Sequence, residues 1–454
     1  MKKGKKVKMK NKLLNYICIF IILIFSFILF LTLSSSFSSK RIFENVKESS
    51  EVLFEEGNRK IIYIPYRNVK MQFDNYTDAL MINTAYSIDN SKPLYSSFVA
   101  RKNYIPEVTN EVYQDVAGEL RSSSKYEYHN EVGELKDLVN GEKTESFEYG
   151  RYWHGYLMVL RPLLLVFNLK QIRILLTIIL ALLAIILTVN VSKKIDPITA
   201  IIIFTGLLGG EYFYLGFSLQ GVFVFIIAMI SSIIMIRRYD RIKDFSILFF
   251  VTGILTNFFD FLTVPIVTLL MPLILYFLLK KKEDLTTEEI IKTIFKYTFI
   301  WGIGYGLTWF TKWLLMDLLF NRSMIKVALA QVLYRSVSKG GQYNMLKVIK
   351  ENTNYIIVPM FISIFSTCIC ECIRILKTKG NNEIQSVDLN ELAFITLPFI
   401  IISIFPLVLY IALQNHSFYH AFFTYRNLII FNICINIIID KTFKNIIKGK
   451  EYEK

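Results

Sequence analysis

The sequence predicts an all-α polytopic membrane protein of about ten transmembrane helices, with a mainly helical extracytoplasmic domain in its first long loop. Three observations lead there. Of 454 residues, 53% are apolar and only 20% charged, against roughly 45–50% and about 25% in soluble domains. Mean hydropathy is +0.42. The apolar excess is gathered into runs of about twenty residues, the length that crosses a roughly 30 Å hydrocarbon layer. Basic residues recur in alternate connections between those runs. Together these exclude a soluble multidomain enzyme, a disordered chain and a disulfide scaffold.

The first run sets the orientation. Residues 1–12 carry Lys2, Lys3, Lys5, Lys6, Lys8, Lys10 and Lys12, and residues 13–34 are apolar. The apolar part exceeds the roughly 7–15 residues of a signal-peptide core, and Ser34 to Ser36 offer no A-x-A cleavage site. It therefore reads as an uncleaved signal anchor with a cytoplasmic N-terminus. Further runs fall at 172–191, 198–215, 219–236, 245–262, 264–280, 295–314, 355–373, 392–413 and 427–440. Alternation then places 192–197, 237–244, 280–294, 374–391 and the tail 441–454 inside, and each carries Lys or Arg. The opposite connections 209–218 and 257–264 carry none, and 414–426 carries only Arg426. Both termini are expected in the cytoplasm, with 35–171 and 315–354 outside. The net charge of +15 thus flanks spans, where it meets anionic headgroups, and the placement argues against nucleic acid as a partner.

The 35–171 segment precedes the nine-helix region 172–440. Residues 35–60 are polar and helix-compatible, 61–66 (IIYIPY) strand-like. In 74–88, Asp74 is a good N-cap for a helix with Ala79, Leu80, Ile82 and Ala85 at helical spacing. Residues 107–121 and 131–140 also read as amphipathic helices. Residues 153–169, apolar but interrupted by Arg161-Pro162, read as an interfacial or re-entrant helix. In 315–354 an amphipathic stretch with Lys326 and Arg335 precedes a Gly340-Gly341 break, with Lys339 and Lys347 beside it. The five cysteines lie in apolar runs as small hydrophobes, without zinc spacing.

The middles of the spans are almost free of charge, so polar chemistry gathers at one side. Glu211, Asp260, Lys312, His416, His420 and Arg426 fall at outer span ends. They meet Asp74, Asp78, Arg151, His154 and Arg161 of the first loop. Asp74 and Asp78 are i, i+4 carboxylates, a spacing that raises one pKa and suits acid–base work; Asp74 also reads as a plain helix cap and Asp78 as a solvated residue. His416 and His420 share that spacing but lack the Glu of a zinc-peptidase motif, so contacts to a phosphate or sugar outrank a two-His metal site. Arg161 reads equally as a residue snorkelling to headgroups and as a partner of a ligand phosphate. Asp260, flanked by Phe258, Phe259 and Phe261, needs a partner. Trp153, Trp301, Trp309 and Trp313 suit an interfacial belt. The sequons at Asn75 and Asn415 are set aside, because the Lys-, Ile- and Asn-rich usage points to a bacterial source.

The first loop with FDNYTDALM, the stretch YWHGYLMVLRPLL, and the outer-end motifs NFFDFLTVP and NHSFYHAFFTYR give a layout that resembles the GT-C superfamily of integral-membrane glycosyltransferases. The resemblance lies in architecture across most of the chain. It implies transfer of a sugar from a polyprenyl-phosphate donor to an extracytoplasmic glycan, lipid or protein at the outer face of a bacterial plasma membrane. It implies Asp74 or Asp78 as the catalytic carboxylate, acting as general base or holding a divalent cation. His154, Arg161, Asp260, His416, His420 and Arg426 would contact substrate. In that family the acidic residue follows the first span closely, where Glu44 and Glu48 stand here. Two other classes stay open: a transporter or flippase of lipid-linked sugars, and a non-catalytic membrane partner in envelope assembly.

Overall fold

The computed structural model describes residues 2–62, 71–104, 112–114, 120–122, 130–281, 283, 285–336, 344–378 and 389–446. It opens with helix α1 (Lys2–Ser36), followed by α2 (Phe43–Glu56), strands β1 (Ile61–Ile62) and β2 (Met71–Gln72), α3 (Asn75–Tyr86), α4 (Pro93–Val99), β3 (Arg101–Tyr104), β4 (Val112–Gln114), β5 (Leu120–Ser122), α5 (Glu131–Val139), β6 (Glu145–Glu148) and α6 (Leu157–Leu164). Then come α7 (Leu169–Lys194), α8 (Pro197–Gly209), α9 (Leu219–Arg238), α10 (Ser246–Phe259), α11 (Val267–Leu279), α12 (Thr287–Phe320), α13 (Met324–Ser336), α14 (Met345–Thr378), α15 (Leu389–Ala412), α16 (Gln414–Tyr419), α17 (Ala421–Thr424) and α18 (Leu428–Ile446).

This is a mainly helical, multi-pass membrane protein. Among the described residues, six helices are long and apolar enough to cross a membrane, within α1, α7, α9, α14, α15 and the segment Ala421–Ile446. The other expected runs also coincide with helices, namely α8, α10, α11 and α12. Three of these, α8, α10 and α11, have only 13 or 14 residues. At about 1.5 Å per residue each is roughly 20 Å long, short of the hydrocarbon layer. They are nevertheless deeply packed: α10 lies against α12, where a Cβ on Gly253 would strike the Trp301 carbonyl and one on Gly304 the Phe250 carbonyl.

Ion pairs tie one end of the bundle together. Asp244 in the α9–α10 turn receives Lys12 of α1 at 2.6 Å and Lys296 of α12 at 2.8 Å. Lys194 at the end of α7 meets Asp240. Lys444 of α18 reaches Asp196 before α8 at 3.0 Å and Asp440 at 2.9 Å, and Arg374 of α14 lies 3.8 Å from Asp440. The lysine-bearing connections therefore share one face, as their alternation in the sequence requires.

The loop domain packs on the opposite ends. Asp74 caps α3, accepting from the Thr77 amide, and α5 occupies much of the second expected helix. Residues 107–121 differ from the expected helix: their described parts are strand, with β4 pairing β5, and β3 pairs β6. Residues 63–66 of the strand-like run and the Gly340-Gly341 break with Lys339 lie outside the described residues. The 153–169 stretch is helical only over α6, and α7 begins at Leu169. Its Trp153, Leu157, Leu160 and Leu164 are buried. Trp153 Nε1 donates to the Thr308 carbonyl at 2.9 Å, and Ser34 donates to the Leu157 carbonyl at 2.7 Å. The aromatic turn packs on α10 and α12 and α6 on α1 and α3, while Val166 beyond α6 stays exposed.

Candidate functional site

Asp74 sits where α3 begins. Its carboxylate accepts from the Thr77 amide at 3.2 Å, from the Thr77 hydroxyl at 2.7 Å and from the Gln220 amide. It lines a small cleft with Glu211, Gln220, Phe422, Phe423 and Arg426. Burial raises its pKa, against the Thr77 hydrogen bonds and the charges of Arg59 and Arg426. Arg426 donates from Nε to the Gly210 carbonyl at 3.1 Å. Glu211, beside that carbonyl, holds a left-handed backbone at φ 57°, a conformation that costs a non-glycine residue free energy and often marks functional positions.

Phe423 carries the site onward. The His420 ring stacks on it at 5.1 Å, and His416 lies 4.7 Å from His420. His416 Nε2 donates to the Leu262 carbonyl at 2.8 Å, while its Nδ1 accepts from Arg335 at 2.9 Å. Both nitrogens are thus occupied, which removes His416 from a two-His metal pair. Burial and the Arg335 charge hold His416 well below the usual histidine range. His420 falls to about 4, from burial and then Arg335 and Arg59. Both rings are neutral near pH 7.

Leu262 belongs to the turn that Asp260 shapes. Asp260 accepts from the Thr263 amide at 2.9 Å and from its hydroxyl at 2.5 Å, so its partners are local and it stands behind the site as a turn former. Arg335 also donates to the Tyr152 hydroxyl at 3.0 Å. Tyr152 packs on Trp309 at 5.2 Å and on Phe261 at 5.1 Å. Around them lies a cavity of about 310 Å³, walled by Tyr152, Tyr305, Trp309 and Trp313 and edged by Arg151 and Arg335. Its wall is mostly apolar, with Arg151, Arg335 and Gln331 as the polar exceptions.

His154 lies beneath Tyr152, 6.1 Å between rings, and its Nε2 meets the Tyr149 carbonyl at 2.6 Å. Its backbone is left-handed at φ 53°. The next residue must be glycine, since a Cβ on Gly155 would come within 2.5 Å of the Phe258 carbonyl. Burial, then Lys312 and Arg151, push His154 down to about 3.

Asp74, Asp260, His154, His416, His420 and Arg426 are therefore linked through one continuous set of contacts at one end of the bundle. Asp78 and Arg161 are not part of its surface. Asp78 is fully buried, accepting from Leu219 N at 2.8 Å and Arg173 at 3.1 Å. Burial pushes its pKa up to about 7 against the pull of Arg173. Arg161 corrects both of its expected roles. Its guanidinium is fully buried and donates to the carbonyls of Ser34 (2.8 Å), Phe37 (2.7 Å) and Ala85. It serves the unsatisfied carbonyls at the ends of α1 and α3, leaving neither a path to headgroups nor a group aimed at a phosphate.

Arg335, Arg173, Tyr152 and Gln220 are the participants that sequence reasoning did not single out. Arg173 had a signal: it stands within an apolar run, where a charge needs a partner. Arg335 had none beyond being one of six basic residues in its loop. The cleft does not suit a divalent cation. Both Asp74 oxygens accept hydrogen bonds, Arg426 shares the cleft, and no group of three His, Cys, Asp or Glu is gathered among the described residues.

No protein-family model, curated protein or solved structure matches the chain.

Proposed function

We propose that this chain is a membrane glycosyltransferase of the GT-C type. It would move a sugar from a polyprenyl-phosphate donor to an extracytoplasmic envelope acceptor in a bacterial plasma membrane. In this reading ten helices cross, both termini are cytoplasmic and the loop domain faces outward. The observation that carries the reading is the aromatic cavity edged by Arg335 and Arg151, joined through His416 and His420 to the Asp74 cleft. An apolar, Trp-lined chamber beside fixed guanidinium groups suits a lipid chain that ends in phosphate.

The reaction asks little of the protein. An acceptor hydroxyl oxygen attacks the anomeric carbon, the bond from that carbon to the phosphate oxygen breaks, and polyprenyl phosphate leaves with the electron pair. Asp74 takes the hydroxyl proton; its burial-raised pKa favours that uptake. Arg335, Arg151 and Arg426 offset the charge that develops on the phosphate. Neutral His416 holds Arg335 in place. Asp78 acts as a positioning residue through Arg173.

A flippase of lipid-linked sugars is the second reading, and one feature favours it. Buried Ser363 and Thr367 of α14 face buried Asn432 and Asn436 of α18, with Thr367 donating to Asn436 at 2.7 Å. Such a polar seam in apolar helices suits a path as well as helix–helix packing. The deciding comparison is envelope glycan composition in a deletion strain, in the same strain carrying wild type, and in one carrying Asp74→Asn. Asn keeps the cap and removes the charge. Loss of one sugar on deletion, reproduced by D74N at normal protein levels, is expected. An unchanged glycan on deletion would sink the transferase reading.

A further inference from the structure

A second groove lies on the opposite half of the bundle, away from the candidate site. It has a volume of about 220 Å³ and is walled by α1 from Leu13 to Phe20, by Phe250 of α10, and by Ile300, Ile303 and Leu307 of α12. Its outer walls are open to the surroundings of the bundle: Leu13 is 60% exposed and Ile303 38%. The floor is aromatic, with Tyr16 edge-on to Phe250 at 5.0 Å.

The ends of the groove differ. Leu13 follows Lys12 directly, and Ile300 stands one turn beyond Lys296. Both lysines converge on Asp244, at 2.6 and 2.8 Å. The mouth thus carries two positive charges against one negative. From there the groove runs along two turns of α1 and two of α12, about 10 Å, towards the middle of the bundle. α1, α10 and α12 all run in the same direction from this charged end. Tyr16 turns its ring, not its hydroxyl, to the groove, so the wall it gives is apolar.

We propose that the groove between α1, α10 and α12 holds one acyl chain of an anionic phospholipid, whose phosphate group sits at Lys12 and Lys296. The lipid is drawn from the leaflet on the Lys12 side. Charge complementarity selects the headgroup: an anionic lipid neutralises the excess positive charge of the mouth, whereas a zwitterionic one does not. The site is separate from the proposed transfer reaction and does not depend on it.

Native mass spectrometry of the delipidated full-length protein, titrated with phosphatidylglycerol and with phosphatidylcholine of the same chains, tests this. Wild type is expected to prefer phosphatidylglycerol by about fivefold for each lysine engaged. Ile303→Trp fills the groove and should abolish that bound lipid, while Ile178→Trp, on the exposed face of α7, should leave it. The triple change Lys12→Gln, Asp244→Asn and Lys296→Gln neutralises the mouth without stranding a charge, and should equalise the two lipids. Equal affinity of wild type for both lipids would overturn the proposal. So would equal retention by the Ile303→Trp and Ile178→Trp proteins.

Discussion

Arg173 donates to Asp78 at 3.1 Å in a pair that is almost wholly shielded, with side chains 3% and 0% exposed. The same guanidinium reaches Glu56 at 2.9 Å and the Asn75 side chain at 2.9 Å. Asp78 completes the junction by accepting from the first amide of α9. One arginine near the start of α7 therefore fixes the first turn of α3, and with it the position of Asp74.

Removing Arg173 takes away the shared partner of Asp78, Glu56 and Asn75. Arg173→Met is expected to cost about 3–5 kcal/mol, read as thermal unfolding of the detergent-solubilised protein. Arg173→Met with Asp78→Asn should cost less than the two single changes summed, by about 1 kcal/mol or more. Strict additivity would show that the two residues do not act together.

Arg335 holds His416 Nδ1 and the Tyr152 hydroxyl at once from two nitrogens of one rigid plane, a spacing that the single nitrogen of a lysine does not reproduce. If the proposed sugar transfer is the reaction, Arg335→Gln should lower it about tenfold to a hundredfold, and Arg335→Lys should restore little of it. Full activity in the lysine variant would mean that only the charge matters.

Acid should destabilise the fold through its buried histidines. His154 is pushed down to about 3, and His420 to about 4, chiefly by burial. The unfolded chain takes up these protons near pH 6.5 and the folded chain does not, so stability falls as pH drops from about 6.5 towards the folded values. For His154 alone the loss is about 2 kcal/mol at pH 5. His154→Gln should show a shallower decline between pH 6.5 and 5 than wild type. A parallel decline would assign the acid sensitivity to other groups.

Ion pairs place the α9–α10 turn and the start of α12 at the Lys12 end, while α13 lies at the other. Cysteines introduced at Leu285 and Ser323 should therefore be labelled from opposite sides of the membrane, with 323 reached from outside in intact cells. Labelling of both from the same side would break the topology and the outward placement of the Asp74 cleft.

Hydropathy and charge placement by themselves determined the helical membrane class, the ten helical runs and the sharing of one face by the lysine-bearing connections. They also determined the Asp74 cap, whose physics is local: a side-chain oxygen and an amide three residues on. These features were legible because each depends on residues close together in the chain. Span length was less so. α8, α10 and α11 stop at 13 or 14 residues, since deep packing substitutes for the lipid contact that hydropathy assumes.

Only the tertiary structure decided which polar residues meet. Asp78 and Arg161 resemble the others in sequence, yet one is closed by Arg173 and the other by carbonyls at the ends of α1 and α3. Arg335 joined the site because α13 folds back over Tyr152 and His416. A charge in an apolar chain must find a partner, but the partner comes from whichever distant segment the packing brings within hydrogen-bond reach. Neither periodicity nor spacing records that choice.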